Sequence, residues 1–134
     1  MLRGQKMREI LFRAKILATE SVWVEGFYNH IPCGRFQCDE HLIQTIDENG
    51  RIGRLFTVYK STLGQFTGLT DKNGKKIFEG DILEFRRGRT HTVKFEDGAY
   101  IFTGTAIPVR YADKFEVIGN IHDNPELLGV EDDN

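Results

Sequence analysis

QFTGLTDKNGKKIFEGDIL, residues 65–83, sets two β-type apolar runs around an Asn73-Gly74 step and launches a further apolar run, Ile82-Leu83, from a Gly80-Asp81 step. Asn-Gly supplies the positive backbone angles that a tight reversal between antiparallel strands needs, so the segment predicts a hairpin followed by another strand. Gly68 and Gly80 permit backbone angles forbidden to other residues, and Asp71 and Asp81 can accept hydrogen bonds from nearby amides. These residues serve turn geometry more readily than chemistry. Asp71, Glu79 and Asp81 would need a partner base or a cleft to act as a carboxylate or divalent-metal site.

The same grammar extends in both directions. Residues 8–15 and 22–28 are rich in β-branched and aromatic side chains and flank a short polar ATES, which predicts two paired strands. HLIQTI (41–46) and residues 52–59 flank Asp47-Glu48-Asn49-Gly50 and predict a second hairpin, whereas 29–40, with Pro32 and Gly34, reads as a loop. Short apolar runs at 76–78, 82–86, 90–95, 99–102 and 115–118 alternate with the turn signals Arg87-Gly88 and Asp97-Gly98, the cadence of a small antiparallel barrel. Asn124-Pro125-Glu126-Leu127-Leu128-Gly129 carries an N-cap, a proline at the first helical position and a glycine stop, so it predicts one helical turn.

The 134 residues, 40% hydrophobic and 28% charged, suit one globular unit or two small ones sharing a core. A net charge of −2 offers no general attraction to nucleic acid or anionic membranes, so such binding needs a local patch. No apolar run approaches the roughly 20 residues that span a bilayer, and the N-terminus lacks the features of a signal peptide, so a cytoplasmic protein is expected. Two cysteines, Cys33 and Cys38, then read as thiols and not as a disulfide framework. Residues 1–6 read as a disordered leader before Met7, and 131–134 as a mobile acidic tail.

Four pieces resemble the YopX family: REILFRA (8–14), WVEGFY (23–28), the pattern TGL-x-DKNG-K-x-I-x-EGDI (67–82), and FEVIGNI (115–121) followed by NPEL (124–127). The third is the specific one, since it fixes glycines, turn residues and hydrophobes together. The resemblance spans residues 7–130 in order. It implies an all-β protein found mainly in bacteriophage and prophage genomes, with an SH3-type barrel in its C-terminal half, no catalytic residue and no assigned activity. The expected architecture is an N-terminal antiparallel β-sheet region (7–64) packed with a C-terminal SH3-like barrel (65–130) and ending in the helical turn. The family-motif positions Gly68, Asp71, Asn73, Gly74, Gly80 and Asp81 are read as structural.

Three other groups carry possible chemistry. His30, Cys33, Cys38 and His41 are four zinc-type donors within twelve residues, but the four-residue gap between the cysteines is shorter than known structural zinc spacings, and the YopX resemblance does not include them. Buried cysteines with exposed histidines are the plainer reading. Arg86, Arg87, Arg89, His91 and Lys94, framed by Phe85, Phe95 and Tyr100, could hold phosphates while rings stack on bases; strand alternation turns Val93 and Phe95 inward and Lys94 outward. The same cations also serve to keep an edge hairpin soluble. Trp23, Phe27 and Tyr28 could form an interaction surface, but Trp23 and Phe27 share a strand parity and read more readily as core.

No nucleophile, phosphate-loop or metal-hydrolase motif is present, so no enzyme activity and no cofactor are expected. The expected function is a non-enzymatic β module that binds a host or phage protein or copies of itself. The alternative is a nucleic-acid-binding module using the basic 86–94 hairpin.

Overall fold

The computed structural model describes residues 10–19, 21–32 and 39–130. The leader, the acidic tail, Cys33 and Cys38 lie outside these residues. The class is all-β, with ten strands in two antiparallel sheets and short 3-10 turns as the helical element. No helix among the described residues is long and apolar enough to cross a membrane.

The first sheet has the order β4-β3-β2-β1-β5-β6. Strands β1 (Phe12–Lys15) and β2 (Trp23–Ile31) form the first hairpin, with Phe12 opposite Gly26 and Lys15 opposite Trp23. Strands β3 (Glu40–Ile46) and β4 (Ile52–Thr57) form the second. Asp47 Oδ1 closes their turn by accepting the Asn49 and Arg51 N–H groups at 2.9 and 2.8 Å. An aspartate ahead of an Asn-Gly pair thus satisfies donors that the turn leaves free.

The expected loop at 29–40 is corrected at both ends: β2 continues through Asn29, His30 and Ile31, and Ile31 pairs with Glu40. Pro32 lies just beyond the last paired residue, where its missing N–H costs no ladder bond. At the other end of the sheet the chain returns on itself. Leu17 N–H donates to Thr57 O, Tyr59 N–H donates to Lys15 O, and Ile16 bridges Val58. The curl encloses Ala14, Val24, Ile43 and Val58. Gly26 permits it, because a Cβ there would sit 2.0 Å from the Gln44 carbonyl oxygen.

Strand β5 (Gly64–Thr70) pairs with β1, placing Phe12 opposite Gln65, and β6 (Lys76–Phe78) pairs with β5. The 65–83 segment therefore begins inside the first sheet and ends in the second. The crossing point is Gly80, whose φ of 95° favours glycine; its N–H donates to Val93 O and its carbonyl accepts from Ile121 N–H. Beyond it, β7 (Asp81–Arg86), β8 (Arg89–Glu96), β9 (Ala99–Phe102) and β10 (Glu116–Asn120) form a four-stranded sheet in the order β10-β7-β8-β9.

Period-two alternation puts Leu83, Val93, Phe102 and Val117 into one core, which Ile77 from β6 joins. Each such large side chain contributes about 1.5–3 kcal/mol of burial, so this layer ties β6 to the second sheet while the ladder ties it to the first. Asp97 and Gly98 both have positive φ, 52° and 84°, as a type I′ hairpin requires. Phe95, expected to face inward, is instead 49% exposed and packs edge-on against Tyr100 near the hairpin tip, beyond the reach of the core. The expected C-terminal turn is the 3-10 segment Pro125–Val130, which follows Asn124.

Candidate functional site

The 65–83 segment is a polar joint. Asp71 Oδ1 accepts the N–H groups of Asn73 and Lys75, both at 2.9 Å, and Oδ2 reaches across to Val117 N–H at 2.9 Å. Burial pushes this carboxyl's pKa up, but those backbone bonds and the nearby Lys75 charge outweigh burial and hold it below the usual value. Gly68 and Gly74 adopt φ of 89° and 82° on either side of it.

Asp81, at the start of β7, accepts from Arg13 Nη2 at 2.6 Å and from Phe78 N–H at 2.8 Å. The Arg13 guanidinium lies 4.8 Å from the ring centres of both Trp23 and Phe78. Burial raises the Asp81 pKa against the pull of Arg13 and the Phe78 N–H. Beside this pair, Asp123 meets Lys15 at 2.5 Å and accepts from Trp23 Nε1 at 2.8 Å. The Lys15 bond is the main reason its pKa falls to about 2.

The acceptor oxygens of Asp71 and Asp81 are thus engaged in holding backbone and Arg13. Neither these two nor Glu79 belongs to a three-donor metal cluster among the described residues. Trp23 is half-buried at this seam, while Phe27, expected in the core, is 46% exposed because it lies on the strand face opposite the one that Val24 turns into the core.

The basic hairpin builds a groove. Arg86 and Arg89 stand opposite one another across the Arg87-Gly88 turn. With Phe85, His91, Thr105 and Phe115 they line a cavity of about 460 Å³. Phe85 and Phe115 stack at 3.8 Å, and Phe85 meets Phe102 edge-on at 4.9 Å, so the ring floor is anchored in the core. His91 Nδ1 lies 2.7 Å from Thr103 O, which orients its ring. Arg86, Arg87 and Arg89 form no ion pair among the described residues, whereas Lys94 lies 3.6 Å from Glu96 and does not line the groove. Like charges set opposite each other repel, so an anion that enters between Arg86 and Arg89 relieves a cost already present.

An apolar face lies on the other sheet. Phe27, Gln44 and Leu55 form one cross-strand row, and Leu55 is 52% exposed on the terminal strand β4 beside Ile52 at 63%. On the opposite face, His30 and His41 are cross-strand partners with rings stacked at 4.5 Å. They are the only two of the four zinc-type donors that fall within the described residues.

The comparisons with known proteins fit this geometry. A family profile described as YopX protein matches residues 12–129. The chain belongs to the YopX family. The crystal structure of protein EF1440 from Enterococcus faecalis is similar to this YopX-family chain, with 27% identity and a TM-score of 0.56 over 91% of this chain and 99% of that one. No curated protein matches the chain significantly.

Several residues that shape these sites in the YopX-family chain have no local sequence signal. Arg13 sits in an ordinary alternating strand, where an arginine reads as a solvated side chain. Phe115 reaches the groove from thirty positions beyond Phe85. Asp39 reads as one more polar residue in a connection.

Proposed function

We propose that this YopX-family protein is a non-enzymatic binding module that pairs with a second copy of itself along β4. The observation that supports this reading is the exposed apolar edge: β4 ends its sheet with Ile52 and Leu55 more than half exposed, and its sequence has neither the proline nor the lysine that commonly guards such edges. Antiparallel pairing that keeps like faces continuous centres on one residue. The open stretch of this edge lies ahead of Thr57, whose carbonyl already accepts from Leu17 N–H, and pairing centred on Leu55 sets Leu55 against its copy and Arg54 against Phe56. Arg54 already lies 4.9 Å from the ring of its own Phe56, so the exchange preserves that cation–π contact. The setting proposed is the cytoplasm of a bacterial host, with a phage or host protein as the other class of partner.

Light scattering during size-exclusion chromatography tests the pairing. A dimer is expected at micromolar concentration, and Leu55→Lys, a change at an exposed site, is expected to yield a folded monomer. A wild-type chain that stays monomeric at high concentration rules the pairing out.

A second reading has its own support in the Arg86–Arg89 groove, where unpaired guanidinium groups flank a ring floor. Single-stranded nucleic acid combines the anion and the flat face that such a groove accommodates. Fluorescence anisotropy with short oligonucleotides is expected to show binding that weakens steeply with salt and falls at least tenfold in Arg86→Ala with Arg89→Ala. No shift at low salt removes this reading.

A further inference from the structure

The open end of the β2–β3 hairpin carries a donor set that neither binding reading uses. Strand alternation puts Tyr28 and His30 of β2 on the same face as Ile43 and His41 of β3. Their rings form a column anchored in the core: Phe12 meets Tyr28 at 5.4 Å, Tyr28 stacks on His41 at 6.0 Å, and His41 stacks on His30 at 4.5 Å. Asp39, one residue before β3, brings Oδ1 to 3.7 Å from His30 Nε2. One donor atom from each of His30, Asp39 and His41 lies within 4.8 Å of the other two.

The Tyr28 hydroxyl lies 2.6 Å from His41 Nδ1. In the tautomer that donates from Nδ1 to the Tyr28 oxygen, Nε2 is left with a free lone pair. A partner on the second ring nitrogen is what metal-binding histidines characteristically have.

We propose that His30, Asp39 and His41 bind one zinc-class divalent ion at the end of the β2–β3 hairpin. Two imidazole nitrogens and a carboxylate oxygen are borderline donors that suit Zn²⁺, whereas Ca²⁺ and Mg²⁺ need a shell composed mainly of oxygens. Bonds of about 2.0–2.1 Å place the ligands of a tetrahedral ion about 3.4 Å apart, so no pair of donors has to close by more than about 1.4 Å. His30 and Asp39 are both exposed, with 41% and 49% of their side chains accessible, and have room to rotate. Three protein ligands leave a fourth position for solvent. Binding links residues on both sides of the β2–β3 connection and so stabilises the hairpin.

Zinc titration of the metal-free full chain by calorimetry is expected to saturate at one ion per chain and to raise the melting temperature. His30→Ala, Asp39→Ala and His41→Ala are each expected to weaken binding at least tenfold, and Tyr28→Phe to weaken it by about ten- to a hundredfold while the fold is retained. Cobalt is expected to bind without thiolate charge-transfer absorption, and Cys33→Ser with Cys38→Ser is expected to keep full affinity. The proposal is overturned by absence of binding heat, by unchanged affinity in the histidine variants, or by binding that needs the cysteines and survives His30→Ala.

Discussion

Asp81→Ala is expected to cost about 3–5 kcal/mol of folding stability, because it strands the Arg13 guanidinium where water has little access. The side chains of the pair are 11% and 1% exposed, so neither charge can turn to solvent when its partner is removed. The substitution also removes the acceptor of the Phe78 N–H, at the point where the chain leaves the first sheet for the second. Arg13→Lys is expected to fail as well, since the flat guanidinium lies against two rings that an ammonium group does not match.

The pair is nonetheless imperfect, with Arg13 Nε buried and without a hydrogen-bond partner among the described residues. A double replacement, Arg13→Met with Asp81→Leu, should therefore cost much less than the sum of the single changes, because no unpaired charge remains. Urea denaturation of the wild type, Arg13→Met, Asp81→Leu and the double variant measures this coupling. An Asp81→Ala cost below about 1 kcal/mol, the scale of an exposed pair, would show that the joint does not depend on this contact.

This pair also shows what the chain reveals locally and what it hides. Asn49-Gly50, Asn73-Gly74 and Asp97-Gly98 mark hairpins because each turn needs a positive φ that its glycine, and in the third pair Asp97 as well, supplies, and alternation marks the strands between them. Arg13 and Asp81 are 68 positions apart, and no pattern within either segment specifies their meeting. The pairing of β5 with β1 is similarly long-range. It makes the central motif a shared element of both sheets, with Phe66 and Phe78 in one core and Ile77 in the other.

Reading 29–40 as a loop gives Pro32 too much weight, since a proline just past a strand end breaks nothing. The candidate sites divide in the same way. The arginine cluster and the histidine pair are visible as neighbours in sequence, while the Phe115 side of the groove and the Asp39 donor become visible only through the fold.

Asp71→Ala is expected to cost about 3 kcal/mol, from three backbone N–H groups that lose a charged acceptor, with the buried Val117 N–H contributing most. Asn73 and Lys75 can turn toward water once the turn loosens, whereas Val117 belongs to β10 and lies inside the second sheet. Hydrogen exchange at Val117 is therefore expected to speed up more than exchange at Asn73. Acid should reproduce part of the loss without any substitution. Because the folded-state pKa of Asp71 is depressed, its contribution is complete above the ordinary carboxylate range, near pH 4, and disappears as pH falls through the lower folded value. Asp123, lowered to about 2, adds to the same acid limb, so Asp71→Asn should flatten the decline in stability below pH 4 without abolishing it. Urea midpoints for the two proteins between about pH 2 and 7 decide the matter. An unchanged slope in Asp71→Asn would mean that the bond from Val117 to Asp71 does not depend on the carboxylate's charge, and that the link between the central turn and β10 has another source.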